Sequence, residues 1–196
     1  MESVTQTGQG QGGRKLLPRT ERRAQLIRAA ATAFARAGYA ATGLDDVALQ
    51  AGVTRAIIYR HFASKHELYT AVLDDTQARL RERLGTPDSY GPDTVGQLVR
   101  AACENPDGFR LLFRHAPREP EFAEFAEERS RLATQVAEGY LRGSQPDPAH
   151  RRWLADLIPK LTIELVLSWL EAEQPTSQDD LVEIIRRATR SLSSRS

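Results

Sequence analysis

The sequence predicts an all-α protein, with an N-terminal three-helix helix-turn-helix head and a longer C-terminal helical body. Three observations predict this. Apolar residues recur at i, i+3, i+4 spacing through most of the chain, and no run of β-branched residues alternates with period two. Gly and Pro fall mainly between the periodic segments. Residues suited to helix N-caps stand where those segments begin: Thr20, Thr54, Ser64 and Asn105.

Residues 1–18 are rich in Gly, Gln, Ser and Thr and nearly devoid of apolar side chains, so a disordered arm is expected. Arg14, Lys15 and Arg19 close it. A solvated terminus is the ordinary reading of such an arm, and minor-groove tracking the functional one. The first helix should run from Glu21 to Ala37, with Gly38 as its C′ residue and Leu26, Ile27, Ala30, Ala33, Phe34 and Ala37 as its apolar stripe. Leu44, Val47 and Ala48 mark a second helix over 44–51. Gly52 supplies the φ > 0 that a tight turn commonly requires. Thr54 offers an N-cap hydroxyl to a third helix over 55–61, which presents Arg55, Ala56, Ile58 and Tyr59, while Val53, Ile57 and Phe62 anchor the turn. Ser64-Lys65-His66-Glu67 reads as a capping box opening a helix that ends near Leu84.

Gly85 to Pro92 should separate head from body. Helices are then expected over 93–104 and 106–115, the latter with Asn105 as N-cap and Pro106 at the first position. Pro117 and Pro120 bracket a turn. Phe122, Phe125, Leu132, Val136 and Tyr140 mark a long amphipathic helix that stops near Gly143. Two more helices cover 148–173 and 178–192. From Leu161 to Leu170 the first of these is apolar nearly all round, so it needs cover on more than one side, by its own core and by a second subunit. Lys160, Glu164, Ser168 and Glu171 form its remaining polar strip, read as a salt-bridge row. Pro159 should kink it. The expected organisation is an arm over 1–18, a helix-turn-helix head over 19–68 and a helical body over 69–196.

Composition narrows the function. The chain has 196 residues, 40% hydrophobic and 27% charged, ordinary for a globular protein. No apolar run approaches the roughly 18 residues of a membrane span, and no secretory-type stretch opens the chain. Cys103 is the single cysteine, which suits a reducing cytoplasm. The net charge of +1 hides an asymmetry: residues 1–68 carry +5 and residues 69–196 carry −4. A basic head on an acidic body suits phosphate binding by the head. His61, His66, His115 and His150 form no paired spacing, and no glycine-rich phosphate loop follows a strand. The reading is therefore not an enzyme, with no metal and no cofactor.

In a helix-turn-helix the first residues of the second helix reach base edges in the major groove, here Arg55 and Ala56. The spacing Thr42 … Ala48 … Ala51-Gly52-Val53 … Tyr59 … His61-Phe62 … Ser64-Lys65 … Leu68 resembles the head of the TetR family of bacterial transcriptional regulators over about residues 20–68. The resemblance implies a homodimer joined through the last two long helices, double-stranded operator DNA as partner, and a small-molecule effector bound in the body. It implies repression more often than activation. It aligns Thr42, Tyr59, His61 and Lys65 with phosphate contacts, and Arg55 and Ala56 with bases. Thr54 and Arg60 complete the candidate DNA-binding set. Gly43 and Ala56 depart from the family pattern, and Asp45 stands where a base contact or a helix-dipole role is open to it.

Phe109, Phe113, Phe125 and Trp169 lie where the family places its pocket, although aromatics at helical spacing are ordinarily core. The scarcity of charge around them favours an apolar effector. The competing reading is a dimeric small-molecule or partner-binding protein whose helix-turn-helix no longer binds a specific operator. Arg55, Arg60 and Lys65 weigh against it.

Overall fold

The computed structural model describes residues 17–86, 90–91 and 93–193, and nine α-helices with no strand form among them. The arm with Arg14 and Lys15, and part of the break before the body, lie outside the described residues.

Helix α1, Arg19–Ala41, is longer at both ends than its stripe predicts. Gly38 does interrupt it, at φ 80° and ψ 171°, a region essentially reserved for glycine. A further turn follows because Tyr39 buries its ring against Phe34, Tyr69 and Phe122, with centroids 6.1, 4.9 and 5.2 Å away. Helix α2, Leu44–Ala51, is closed by Gly52 at φ 64° and ψ 36°, and the Val53 amide donates back to the Ala48 carbonyl at 3.0 Å. This left-handed closure turns the chain sharply into α3, Arg55–Tyr59.

Helix α3 is two residues shorter than expected, and its phase differs. Ile58 is fully buried, whereas Ile57 is only half-buried. Ile58 and Phe62 stand four apart and share the inward face, so Ile58 belongs to the core and not to the presented surface. Thr54 has N-cap backbone geometry, but its hydroxyl makes no capping bond. Helix α4, Lys65–Leu84, opens on the expected box: Ser64 Oγ accepts the Glu67 amide at 3.0 Å. The Glu67 carboxylate accepts from Ala63, one residue earlier than the usual partner, at 2.6 Å.

In the body, α5 (Thr94–Glu104) leads to α6 (Pro106–Arg110), where Asn105 accepts the Gly108 amide at 3.1 Å. The expected regular helix to His115 instead becomes a π turn over Leu111–His115. In that i→i+5 register the Leu112 carbonyl faces Pro117, which has no N–H. Arg129 Nη2 supplies a donor to that carbonyl at 3.1 Å. Short 3₁₀ turns over Ala116–Arg118 and Pro120–Phe122 lead into α7, Ala123–Leu141. Leu132 and Tyr140, expected on its inward stripe, are exposed. Helix α8, Pro148–Glu171, runs through Pro159 as one element, and α9 covers Gln178–Ser193. Lys160 pairs with Asp156 at 2.7 Å, while Glu164 reaches Arg114 on the π turn at 3.2 Å. The polar strip of α8 is therefore divided between two partners.

Helix α1 packs on α2, α4 and α6, α5 packs on α4 and α9, and α7 packs on α8. One buried core runs from Leu26 in α1 to Ile185 in α9, and α4 serves both ends of it. No helix among the described residues is long and apolar enough to cross a membrane.

Two glycines test this packing. Gly52→Ala meets no neighbour but forces a side chain into the left-handed region, and should cost about 1–2 kcal/mol in urea unfolding. Gly108→Ala places a Cβ against Asn105 and Thr76, and should cost about 1–3 kcal/mol by overpacking. An unchanged midpoint for the second variant would show that α6 is free to lift from α4.

Candidate functional site

The outward face of α3 carries Thr54, Arg55, Ala56, Tyr59 and Arg60, all exposed. Helices α1 and α2 hold it in place. Gln25 Nε2 donates to the Ala51 carbonyl at 3.0 Å, and Arg22 donates to Gln25 at 2.6 Å. At the start of α2, Asp46 accepts the Gly43 amide at 2.7 Å and caps the helix without a side chain on Gly43. Asp45 does something else: it pairs with Arg55 at 3.0 Å across the turn. Arg55 also donates to the Tyr59 hydroxyl at 3.1 Å, and its guanidinium lies 5.5 Å from the Tyr59 ring centre. The arginine is thus tied to both neighbours on the exposed face of α3.

A second cationic group surrounds His61. Burial, then the charges of Arg19, Arg22, Arg23 and Arg60, push its pKa below the ordinary value, and its Nδ1 is buried without a partner. Arg23 also lies over the Phe62 ring at 4.8 Å. Sequence reasoning named Arg60 and His61 for this surface and missed Arg22 and Arg23. Their spacing on the first turns of α1 was visible, but their approach to the end of α3 is tertiary.

Two residues of the candidate set stand apart from the exposed face. Thr42 is 2% exposed, and its hydroxyl lies 2.7 Å from the Gly38 carbonyl that accepts its proton. Lys65 donates to the carbonyls of Tyr39, Ala40 and Thr42 at 2.7, 3.4 and 3.1 Å, with its ammonium 4.3 Å from the Tyr39 ring centre. Both close the end of α1.

The four aromatics of the body are only partly assembled. The Phe109 and Phe113 rings are 4.4 Å apart, and the Arg129 guanidinium lies 4.0 Å above Phe113. Phe125 packs half-buried against the core. Trp169 is buried, with its indole N–H donated to the Thr176 carbonyl at 3.1 Å. A cleft of about 370 Å³ opens between α4, α5 and α6, lined by Thr76, Leu80, Ala101, Asn105 and Phe109 together with the charged Arg79, Glu82, Arg83 and Glu104. Its size suits a small ligand.

His61 predicts a pH signature. It is neutral near pH 7, and a phosphate brought beside it raises its pKa, so DNA binding takes up a proton. Operator affinity should rise as pH falls from 7 to 6, and His61→Gln should flatten that rise. Folding carries the opposite sign. The lowered folded pKa means that this residue's contribution to stability is full above about 6.5 and declines as pH falls through that value. An affinity profile unchanged in His61→Gln would remove His61 from the contact.

Comparisons with known proteins agree with this geometry. The family model of bacterial regulatory proteins, tetR family, matches residues 26–72. The HTH-type transcriptional activator FasR of Mycolicibacterium smegmatis is 33% identical over 181 residues, covering 85% of this chain and 80% of that protein. The crystal structure of a TetR-like transcriptional regulator from Rhodococcus sp. RHA1 superposes with a TM-score of 0.76 at 18% identity, over 92% of this chain and all of that one. The transcriptional regulator FadR of Bacillus subtilis, in complex with stearoyl-CoA, superposes with a TM-score of 0.65 at 17% identity, over 87% of this chain and 97% of that one. A matched head, a relative aligned over most of both chains and the shared helical fold lead to one conclusion: the chain belongs to the tetR family of bacterial transcriptional regulators.

Proposed function

We propose that this ligand-responsive regulator acts in the cytoplasm as a homodimer, and that each subunit lays α3 in a major groove of a roughly palindromic operator. The exposed, arginine-bearing face of α3 carries this reading, because it is held rigid by the turn at Gly52 and flanked by the cations around His61. Arg55, Ala56 and Thr54 face bases, while Tyr59, Arg60 and His61 meet phosphates. Thr42 and Lys65 act through the end of α1, as supports for that surface. Residues 19–68 form the DNA-binding head and residues 69–196 the effector and dimer body.

Dimerisation through α8 and α9 is supported by the apolar side chains that one subunit leaves uncovered there. Leu161 and Leu165 are partly exposed on α8, Leu165 also packing against the subunit's own core. Trp153 is 57% exposed and Ile184 46% exposed, and Ala188 and Leu192 continue the α9 stripe at i, i+4, i+8. The effector is an apolar molecule bound in the body near Phe109, Phe113, Phe125 and Trp169. The stearoyl-CoA held by the superposed FadR supports a ligand built on an acyl chain. We read the effect of the ligand as release from the operator. Whether release lowers or raises transcription depends on where the operator lies relative to the promoter, and FasR is by name an activator.

The test is fluorescence anisotropy with the chain's own upstream DNA. A palindromic site should bind much more tightly than random DNA. Arg55→Ala should cost about 1–3 kcal/mol on that site and little on random DNA. An effector should weaken operator binding about 5–150-fold, and operator DNA should weaken effector binding by the same factor. Leu165→Asp with Ile184→Asp should give a monomer by sedimentation. Equal affinity for operator and random DNA would leave the partner-binding dimer as the function.

A further inference from the structure

We propose that Arg129 is the anion-reading residue of the effector site, and that the effector is an apolar chain ending in a carboxylate. This rests on the effector reading above and adds the chemistry of the ligand's head.

Arg129 projects from α7 one turn after Phe125. Its guanidinium lies over Phe113 at 4.0 Å, and Phe113 in turn meets Phe109 at 4.4 Å. Nη2 donates to the Leu112 carbonyl at 3.1 Å, whereas Nε is buried with no partner. Among the described residues no carboxylate pairs with it. Burial alone pushes its pKa down to about 10, with no acidic neighbour acting in the other direction. The neighbouring sheltered arginines are different. Arg110 holds Asp107, Arg114 holds Glu164 and Glu171, and Arg151 faces Glu138. A sheltered cation without an anion is costly to maintain, so Arg129 is the place where the body lacks a negative charge.

The surroundings define what supplies it. A carboxylate is compact and planar, and it matches the fork of a guanidinium whose Nε is still free. Apolar groups lie beside the guanidinium for the chain behind the carboxylate: Phe113 at 4.0 Å, with Phe109 4.4 Å beyond it. Phe109 also reaches the cleft between α4, α5 and α6, whose other walls include the charged Arg79, Glu82, Arg83 and Glu104.

The same guanidinium explains how occupancy is reported. It supplies the donor that Pro117 withholds from the π turn. A carboxylate that draws Arg129 away leaves the Leu112 carbonyl without that donor. The segment that follows the turn carries Glu119 and Glu121, which hold Tyr39 and His66 of the head.

The test compares decanoate, 1-decanol and decanoyl-CoA by calorimetry on the full chain, in wild type, Arg129→Met and Arg129→Lys. Wild type should prefer decanoate over 1-decanol by about tenfold or more. Arg129→Met should erase that preference while binding 1-decanol within about twofold of wild type, and Arg129→Lys should keep part of it. Calorimetry without DNA separates this proposal from the DNA-binding reading, and operator binding by ligand-free Arg129→Met should weaken toward that of ligand-bound wild type, because both lack the donor to Leu112. The proposal is overturned if wild type does not discriminate, if Arg129→Met still prefers decanoate, or if only decanoyl-CoA is weakened, which would make the anion a phosphate. Failure of all three probes to bind wild type overturns it together with the acyl-effector reading. If Arg129→Met does not fold, the wild-type ratio and Arg129→Lys decide.

Discussion

The head depends on one ammonium group. Helix ends leave carbonyls without partners, and a cation is stabilising where they gather. Lys65 supplies that cation to the end of α1 from the first position of α4, meeting the carbonyls of Tyr39, Ala40 and Thr42. Its position sets where α4 begins relative to where α1 ends. Thr42 closes the same turn by donating to Gly38, so α2 starts from a fixed point. The short α3 has little structure of its own and inherits its placement from these contacts and from the buried Ile58 and Phe62. With the ammonium committed to backbone carbonyls, what the lysine fixes is this joint.

The body grips the same joint. Glu119 accepts the Tyr39 amide at 3.2 Å, and Glu121 meets the Tyr39 hydroxyl at 3.2 Å and His66 at 3.1 Å. Phe122 adds its ring to Tyr39, Tyr69 and His66, and Thr32 donates to Asp107 at 2.8 Å. Burial and Glu121 hold the Tyr39 phenol protonated, and burial does the same for Tyr69. These contacts come from α6 through Phe122, the stretch that contains the π turn. A rearrangement of that turn therefore reaches the start of α4 and the end of α1 through direct contacts. This is a contiguous physical route, and it leads to elements that position α3.

The parts legible in the sequence were those decided by neighbours in the chain. Gly52, the Ser64 box, the Asn105 cap and the apolar stripes of α1, α2 and α4 all act within one helical turn and appeared where expected, except that Ala37, next to the break at Gly38, is exposed. The parts that escaped are decided by approach between elements. The pairing of Asp45 with Arg55 crosses a turn, and Lys65 reaches back more than twenty residues. The phase of α3 could not be read from five residues, too few to establish a period. The π turn needed both Pro117 and a donor from another helix. Leu132 and Tyr140 looked inward because periodicity reports an apolar face and not what covers it.

The pairing of Arg55 with Asp45 and Tyr59 bears on how such a protein searches a chromosome. Nearly all DNA it meets is the wrong sequence, and there the main attraction is phosphate charge. A guanidinium already satisfied by a carboxylate and a phenol gains little by exchanging them for a lone phosphate oxygen. It gains more from the paired acceptors on a guanine edge, which reward both of its donors at once. In the proposed contact, the internal partner thus lowers what a free arginine would add to binding on random sequence, and favours a site whose bases displace the aspartate.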